Sequence, residues 1–335
     1  MKKLFLLFIA LMAFSCAFAS NASLSAGSGA FDFKCQGAFG GFTMRVDYYI
    51  PADGDLSSMP IQFVMSGTDR NSDDYRDAWI ERADLYKVIV LAPCFSAEDF
   101  PSSMYQQGNV KKAYQNSDPS LMTYVLIDEI FLHFKELVSS SQSQYNIYGH
   151  SAGAQFVHRF VLFHQSPYLN RAVAANAGTY TFPTDEAKYQ FGYSNIGGMA
   201  QWNVAQALAK ELTLLIGEND TERDANLNVT EEADEQGLNR KERGLNFYQK
   251  WSLMAESLGI DYIWQLKSVE GVSHSNKRMS PVAADLLYGD SPQEIDAIEV
   301  GSASSSLHKI LFDGQILIEH EGNKYRMNGV KSDMK

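Results

Sequence analysis

One pentapeptide in this chain has the pattern of an activated nucleophile. Gly149-His150-Ser151-Ala152-Gly153 fits G-x-S-x-G, the turn that lifts a serine hydroxyl out of the backbone between a strand and a helix. The context is right: Tyr145 to Tyr148 reads as a short strand, and Ala154 to Phe163 reads as helical. Glycines stand at both ends because a side chain there would collide with the neighbouring strand and helix. The pentapeptide alone recurs by chance. Its position after a strand and before a helix is what carries weight.

A serine hydroxyl attacks only when a base takes its proton. The chain has 7 histidines. His150 is inside the turn, His133, His158 and His164 fall in helical stretches, and His308 and His320 lie in the tail. His274 sits in Gly271-Val-Ser-His-Ser-Asn276, a loop directly after the last strand of the series. Ligand chemistry in open α/β sheets gathers at such carboxyl ends, so His274 is the expected base. The acid that orients it should follow the buried strand Leu212 to Ile216. There Gly217-Glu218-Asn219-Asp220 offers Asp220 first, with Glu218 as the main rival and Asp224 further out. A developing oxyanion needs two donors. One is the N–H of Ala152, the residue after the nucleophile. The other is expected from Ser66-Gly67-Thr68, with Thr68 N–H the candidate. Asp224, Asn226 and Asn228, with Glu231 and Glu232 nearby, offer oxygen ligands but lack the spacing of a calcium loop. No His/Cys cluster has zinc spacing. These residues read as a solvated acidic loop, and neither a metal nor a cofactor is expected.

The elements that must position these groups alternate. Phe42 to Ile50, Ile61 to Met65, Lys87 to Ala92, Tyr145 to Tyr148, Ala172 to Ala175, Leu212 to Ile216 and Asp261 to Val269 read as strands. Leu121 to Val138, Leu238 to Leu258 and Met279 to Leu287 read as helices. This rhythm predicts a mostly parallel sheet covered on both faces. Between Gly178 and Ala209 the rhythm breaks, with Tyr180, Phe182, Tyr189, Phe191, Tyr193 and Trp202 in close succession. Two readings compete: a packed aromatic excursion, or a small cap in which Tyr180, Phe182 and Trp202 wall a substrate site.

The formal net charge of −12 argues against a nucleic-acid binder, because phosphate affinity needs a basic surface. Lys2 and Lys3, the apolar run Leu4 to Phe14, and Ala17-Phe18-Ala19 have the grammar of a cleaved signal peptide over residues 1–19. The protein is therefore expected to be exported, periplasmic or extracellular, without stable membrane insertion after cleavage. Lipidation at Cys16 is the competing possibility. Cleavage leaves Cys35 and Cys94. An even pair in an oxidising compartment points to a disulfide worth about 4 kcal/mol by loop closure. A catalytic domain over 20–290 is followed by a serine-rich linker at 291–306. A tail at 307–335 comes last, where Asp313-Gly314 and Glu321-Gly322-Asn323 mark two turns between three short strands.

The stretch Tyr145 to Gly178 resembles bacterial α/β-hydrolases described as poly(3-hydroxybutyrate) depolymerase-like or as esterases. Five further blocks follow the same order: SGTDRNSDDYRDAW at 66–79, APCFSAEDFP at 92–101, GENDTERD at 217–224, QGLNRKERGLNFY at 236–248 and VEGVSHSNKRM at 269–279. The resemblance spans roughly residues 30 to 288 and implies an α/β-hydrolase fold. It departs from the family at Ser66, where His is usual, and at Cys94, where an acidic residue is usual. The tail from Leu307 is similar to short C-terminal segments of exported bacterial proteins, which leaves a sorting role open.

The combined expectation is hydrolysis of a small or polymeric carboxylic ester through an acyl-enzyme, with Ser151, His274 and Asp220 as the triad. The same residues would serve an amidase or peptidase. A binding module that has kept the fold without the chemistry is the reading from outside enzymology, and three intact triad residues argue against it.

Overall fold

The computed structural model describes residues 24–197 and 203–289, together with the backbone of three strands between 308 and 326. The apolar runs form the centre of one eight-stranded sheet. Its strands are β1 (Gly27–Lys34), β2 (Thr43–Ile50), β3 (Ile61–Met65), β4 (Ile89–Pro93), β5 (Tyr145–His150), β6 (Leu169–Ala175), β7 (Glu211–Gly217) and β8 (Gln265–Val269). They lie in the order β1-β2-β4-β3-β5-β6-β7-β8. β2 runs antiparallel to both β1 and β4, and β4 through β8 are mutually parallel. The helices are α1 (Ser72–Asp77), α2 (Ile80–Tyr86), α3 (Val110–Gln115), α4 (Val125–Val138), α5 (Ala152–Phe163), α6 (Val204–Leu208), α7 (Glu231–Asp234), α8 (Arg240–Leu258) and α9 (Asn276–Tyr288).

Every residue of β3, β4 and β5 is buried, as expected for parallel strands covered on both faces. The pleat divides them by period two. Ile61, Phe63 and Met65 face a core built with Phe131 of α4, Phe156 and Phe160 of α5, and Phe247 and Trp251 of α8. Val64, Val90, Tyr148, Val173 and Leu215 face a second core with Trp79, Ala83, Met279, Ala283 and Leu287 from α1–α2 and α9. Burying a Leu, Ile or Phe side chain contributes about 1.5–3 kcal/mol, so these two layers hold the sheet that presents the site.

Four details differ from the sequence reading. β1 escapes it because Gly-Ser-Gly-Ala has little strand propensity; as an edge strand it is held by pairing along its whole length with β2. The last strand starts at Gln265 rather than Asp261. Short helices α1 and α2 fill the connection between β3 and β4.

The fourth difference is a correction: Cys35 and Cys94 are free thiols. Cys35 N–H bonds the Phe42 carbonyl, and Cys94 N–H bonds the Arg45 carbonyl. The two cysteines therefore flank β2 on opposite sides, two strand spacings or about 9.5 Å apart, beyond the roughly 7 Å that a disulfide spans. Residues 42 and 45 also fall on opposite faces of the pleat. Cys35 is buried in the core, and that burial pushes its thiol up to about 11. Cys94 Sγ instead contacts the carbonyl oxygen of Arg70.

The leader at 1–19 and the linker at 291–306 lie outside the described residues. In the tail, His308–Phe312, Gln315–His320 and Asn323–Arg326 form a separate antiparallel sheet of three strands.

Candidate active site

β5 ends at His150 and α5 begins at Ala152, so the whole reversal falls on Ser151. Its φ of 57° and ψ of −116° lie where a non-glycine residue is strained. Two close approaches hold it there. A Cβ on Gly149 would sit 2.3 Å from the Gly153 carbonyl oxygen, and one on Gly153 would sit 2.1 Å from that of Met65. Ser151 N–H donates to the Ala175 carbonyl at 3.0 Å, which ties the turn to β6.

Asp220 follows the end of β7 and His274 follows the end of β8, beyond the intervening β6. His274 Nε2 lies 3.0 Å from Ser151 Oγ, and its Nδ1 lies 2.8 Å from Asp220 Oδ2. The Asp220 side chain is 1% exposed and that of His274 is 24% exposed. The acid is thus sealed while the imidazole edge reaches solvent. Glu218, the rival acid, is partly exposed two residues before Asp220. The loops carrying acid and base are laced together. Glu218 N–H bonds Val269 O, Asn219 N–H bonds Val272 O, and a Cβ on Gly217 would meet Val272 O at 2.6 Å. Asn176, at the end of β6, accepts from Gly217 N–H and donates to Ser273 O, bridging both loops.

Two further side chains close on the relay. The His150 ring centroid lies 4.5 Å from that of His274. Burial, then the neighbouring His274 and Arg240, push His150 well below the ordinary histidine range. The ring nitrogen within hydrogen-bond distance of Ser151 Oγ belongs to His274. His150 Nδ1 sits 3.2 Å from the Tyr75 hydroxyl. Arg240, at the start of α8, is 1% exposed; it forms a two-pronged pair with Asp224 and stands 3.5 Å from Asp220 Oδ1. That contact holds the Asp224 carboxyl down at about 2, chiefly through the hydrogen bond from Arg240. Both Asp224 oxygens are thus occupied by Arg240.

Ala152 opens α5, where helix N–H groups lack internal acceptors. Thr68 is exposed on the turn from Gly67 to Arg70, closed by Arg70 N–H to Gly67 O. A Cβ on Gly67 would lie 3.8 Å from Ser151 Cβ, so this turn borders the nucleophile. The carbonyl before it, Ser66 O, accepts the Tyr105 hydroxyl at 2.7 Å.

Tyr180 has no exposed surface; its ring packs 4.7 Å from Phe247 and 5.0 Å from His158. Phe182 is 6% exposed and leans on the same Phe247. It borders a cavity of about 770 Å³ lined by Tyr193, Glu232 and Lys250, among others, and by none of the triad residues. Both rings pack on Phe247 of α8, and that of Tyr180 also packs on His158 of α5. Trp202 lies outside the described residues.

Sheet order, strained turn and relay together define an α/β-hydrolase. No family profile and no curated protein matches the chain. Solved structures do. Poly(aspartic acid) hydrolase-1 from Sphingomonas sp. KT-1 is 36% identical over 79% of this chain and 100% of its own, with a TM-score of 0.71. LpqC, a poly(3-hydroxybutyrate) depolymerase from Bordetella parapertussis, is 29% identical over 79% of this chain and 91% of its own, with a TM-score of 0.70. An IroE-like serine hydrolase from Shewanella oneidensis shares the fold at 12% identity, over 78% of this chain and 80% of its own, with a TM-score of 0.52. The chain belongs to the esterase-like α/β-hydrolase family that includes the first two proteins, and it is a hydrolase.

Proposed function

We propose that this hydrolase cleaves carboxylic esters, small or polymeric, through an acyl-enzyme on Ser151. The observation that carries the reading is the unbroken relay from Ser151 Oγ to His274 to a buried Asp220, at 3.0 and 2.8 Å. In the first half-reaction Ser151 Oγ attacks the ester carbonyl while His274 Nε2 accepts its proton. Asp220 holds the imidazole and stabilises its charged form. The N–H groups of Ala152 and Thr68 receive the oxyanion. His274 then protonates the leaving alkoxide, and in the second half-reaction it deprotonates water, which releases the acid and restores Ser151. The 29%-identical relative, a poly(3-hydroxybutyrate) depolymerase, favours an ester as the scissile bond.

A second reading, amide cleavage, is favoured by one observation. The 36%-identical relative is a hydrolase of poly(aspartic acid), whose chain links are amides. Purified protein assayed on matched ester and amide pairs of equal acyl length decides between them. The ester reading expects higher kcat/KM on every ester; faster turnover of the amides, or of poly(aspartic acid) alone, overturns it. The leader at 1–19 supports export with cleavage after Ala19. The test is the N-terminal sequence of the protein recovered from outside the cytoplasm, expected to start at Ser20. No helix among the described residues is long and apolar enough to cross a membrane.

A further inference from the structure

Asp220 is a buried carboxylate with two oxygens, and His274 uses one. Oδ2 accepts from His274 Nδ1 at 2.8 Å, while Oδ1 faces Arg240 Nη1 at 3.5 Å. Arg240 is itself committed elsewhere: its two terminal nitrogens reach Asp224 Oδ2 at 2.5 Å and Oδ1 at 3.0 Å. The three side chains form a line, Asp224–Arg240–Asp220, with the guanidinium bonded to the outer carboxylate and only leaning on the inner one.

This asymmetry has a chemical meaning. A buried carboxylate with no partner for its second oxygen would lose compensation for its charge, and its plane would be free to turn away from the imidazole. An arginine fork bonded directly to both oxygens of Asp220 would do the opposite harm, because bidentate pairing is the strong geometry and would draw Oδ2 off His274. We propose that Arg240 is the positioning residue for the triad acid, and that Asp224 keeps it at the working distance by occupying its fork. The backbone supports the placement. Asn239 caps α8 by accepting from Glu242 N–H, which fixes Arg240 at the helix start. Lys241 N–H bonds Asp220 O, and Lys241 Nζ bonds Glu218 O, so the acid loop is moored to the first turn of α8.

The proposal rests on the triad reading, and its test separates the two. Arg240→Gln, Arg240→Lys, Asp224→Asn and the double variant Arg240→Gln/Asp224→Asn are assayed on a chromogenic ester beside Asp220→Asn. Melting curves and the downfield proton resonance of the His274–Asp220 hydrogen bond are recorded for each. Arg240→Gln should lower kcat by about 10²-fold, the scale of a misplaced catalytic group. KM should stay within about threefold, since Asp220 does not touch substrate, and the downfield resonance should shift or broaden. Arg240→Lys keeps the charge without the fork and should recover part of kcat. Asp224→Asn should lower kcat by about 10-fold, and that loss should vanish in the Arg240→Gln background because no fork is left to restrain. Arg240→Gln within about threefold of the parent in kcat, with Asp220→Asn still crippled, overturns the proposal alone. So does equal damage from Arg240→Gln and Asp224→Asn that follows the loss of melting temperature, with the resonance unmoved, which is the pattern of a loop anchor. Should Arg240→Gln not fold, Arg240→Lys and Asp224→Asn still give the kcat and resonance readings. Full activity in Asp220→Asn itself overturns the triad reading instead.

Discussion

Ser151 and Asp220 sit at the ends of β5 and β7, yet they are held by different means. Around Ser151 the work is steric. Two glycines press against carbonyl oxygens, and the constraint comes from residues 149 to 153 meeting β3 and β6. Around Asp220 the work is electrostatic, and Arg240 and Asn176 come to it from other elements. Arg240 and Asp224 supply the charges, and Asn176 braces the loop from another strand. A nucleophile must be presented in one orientation, which backbone sterics fix. A buried carboxylate needs polar partners for its oxygens, and these come from other side chains.

Substitutions on each side sharpen this contrast. The largest effect belongs to Ser151→Ala, which should lower kcat by about 10⁶-fold and leave melting unchanged, with a small residual from the oxyanion donors; more than a few per cent activity in a clean preparation breaks the assignment. Next comes Asp220→Asn, expected to cost about 10⁴-fold, while Glu218→Gln, partly exposed and two residues away, should cost less than about threefold. If Glu218→Gln proved the more damaging, the acid would be wrongly identified. On the steric side, Gly153→Ala puts a Cβ against Met65 O and should destabilise by about 1–3 kcal/mol, lowering the melting temperature together with activity; an unchanged melting curve would show that the turn tolerates what the packing forbids. The smallest effect concerns the cysteines. With Cys35 and Cys94 apart and free, a reductant should leave the melting temperature unmoved and alkylation under denaturing conditions should count both thiols. A drop of several degrees, with a mass lighter by two hydrogen atoms before reduction, would restore the bridge.

What the sequence discloses follows the same division. The turn at Ser151 was legible because its cause is local: five consecutive residues between a strand pattern and a helix pattern. His274 and Asp220 were legible as loop residues after apolar strands, since position at a strand end is itself a one-dimensional signal. Arg240 was not, although it sits in a block already noted at 236–248, because its value depends on two carboxylates brought to it by folding. Asn176 and His150 were missed for the same reason: each matters through what faces it across the sheet edge. The cysteine pair misled because a count of two says nothing about strand spacing or face. Tyr180 and Phe182 left two readings open because aromatic density marks packing as readily as recognition; in the fold their rings meet Phe247 of α8.

Covalent acylation of Ser151 is tested most directly by intact-protein mass spectrometry. Protein treated with a fluorophosphonate, or quenched in acid during turnover of an activated ester, should gain one adduct, mapped by peptide sequencing to Ser151. Ser151→Ala should gain none. An adduct on another residue, or undiminished labelling of Ser151→Ala, would contradict the account.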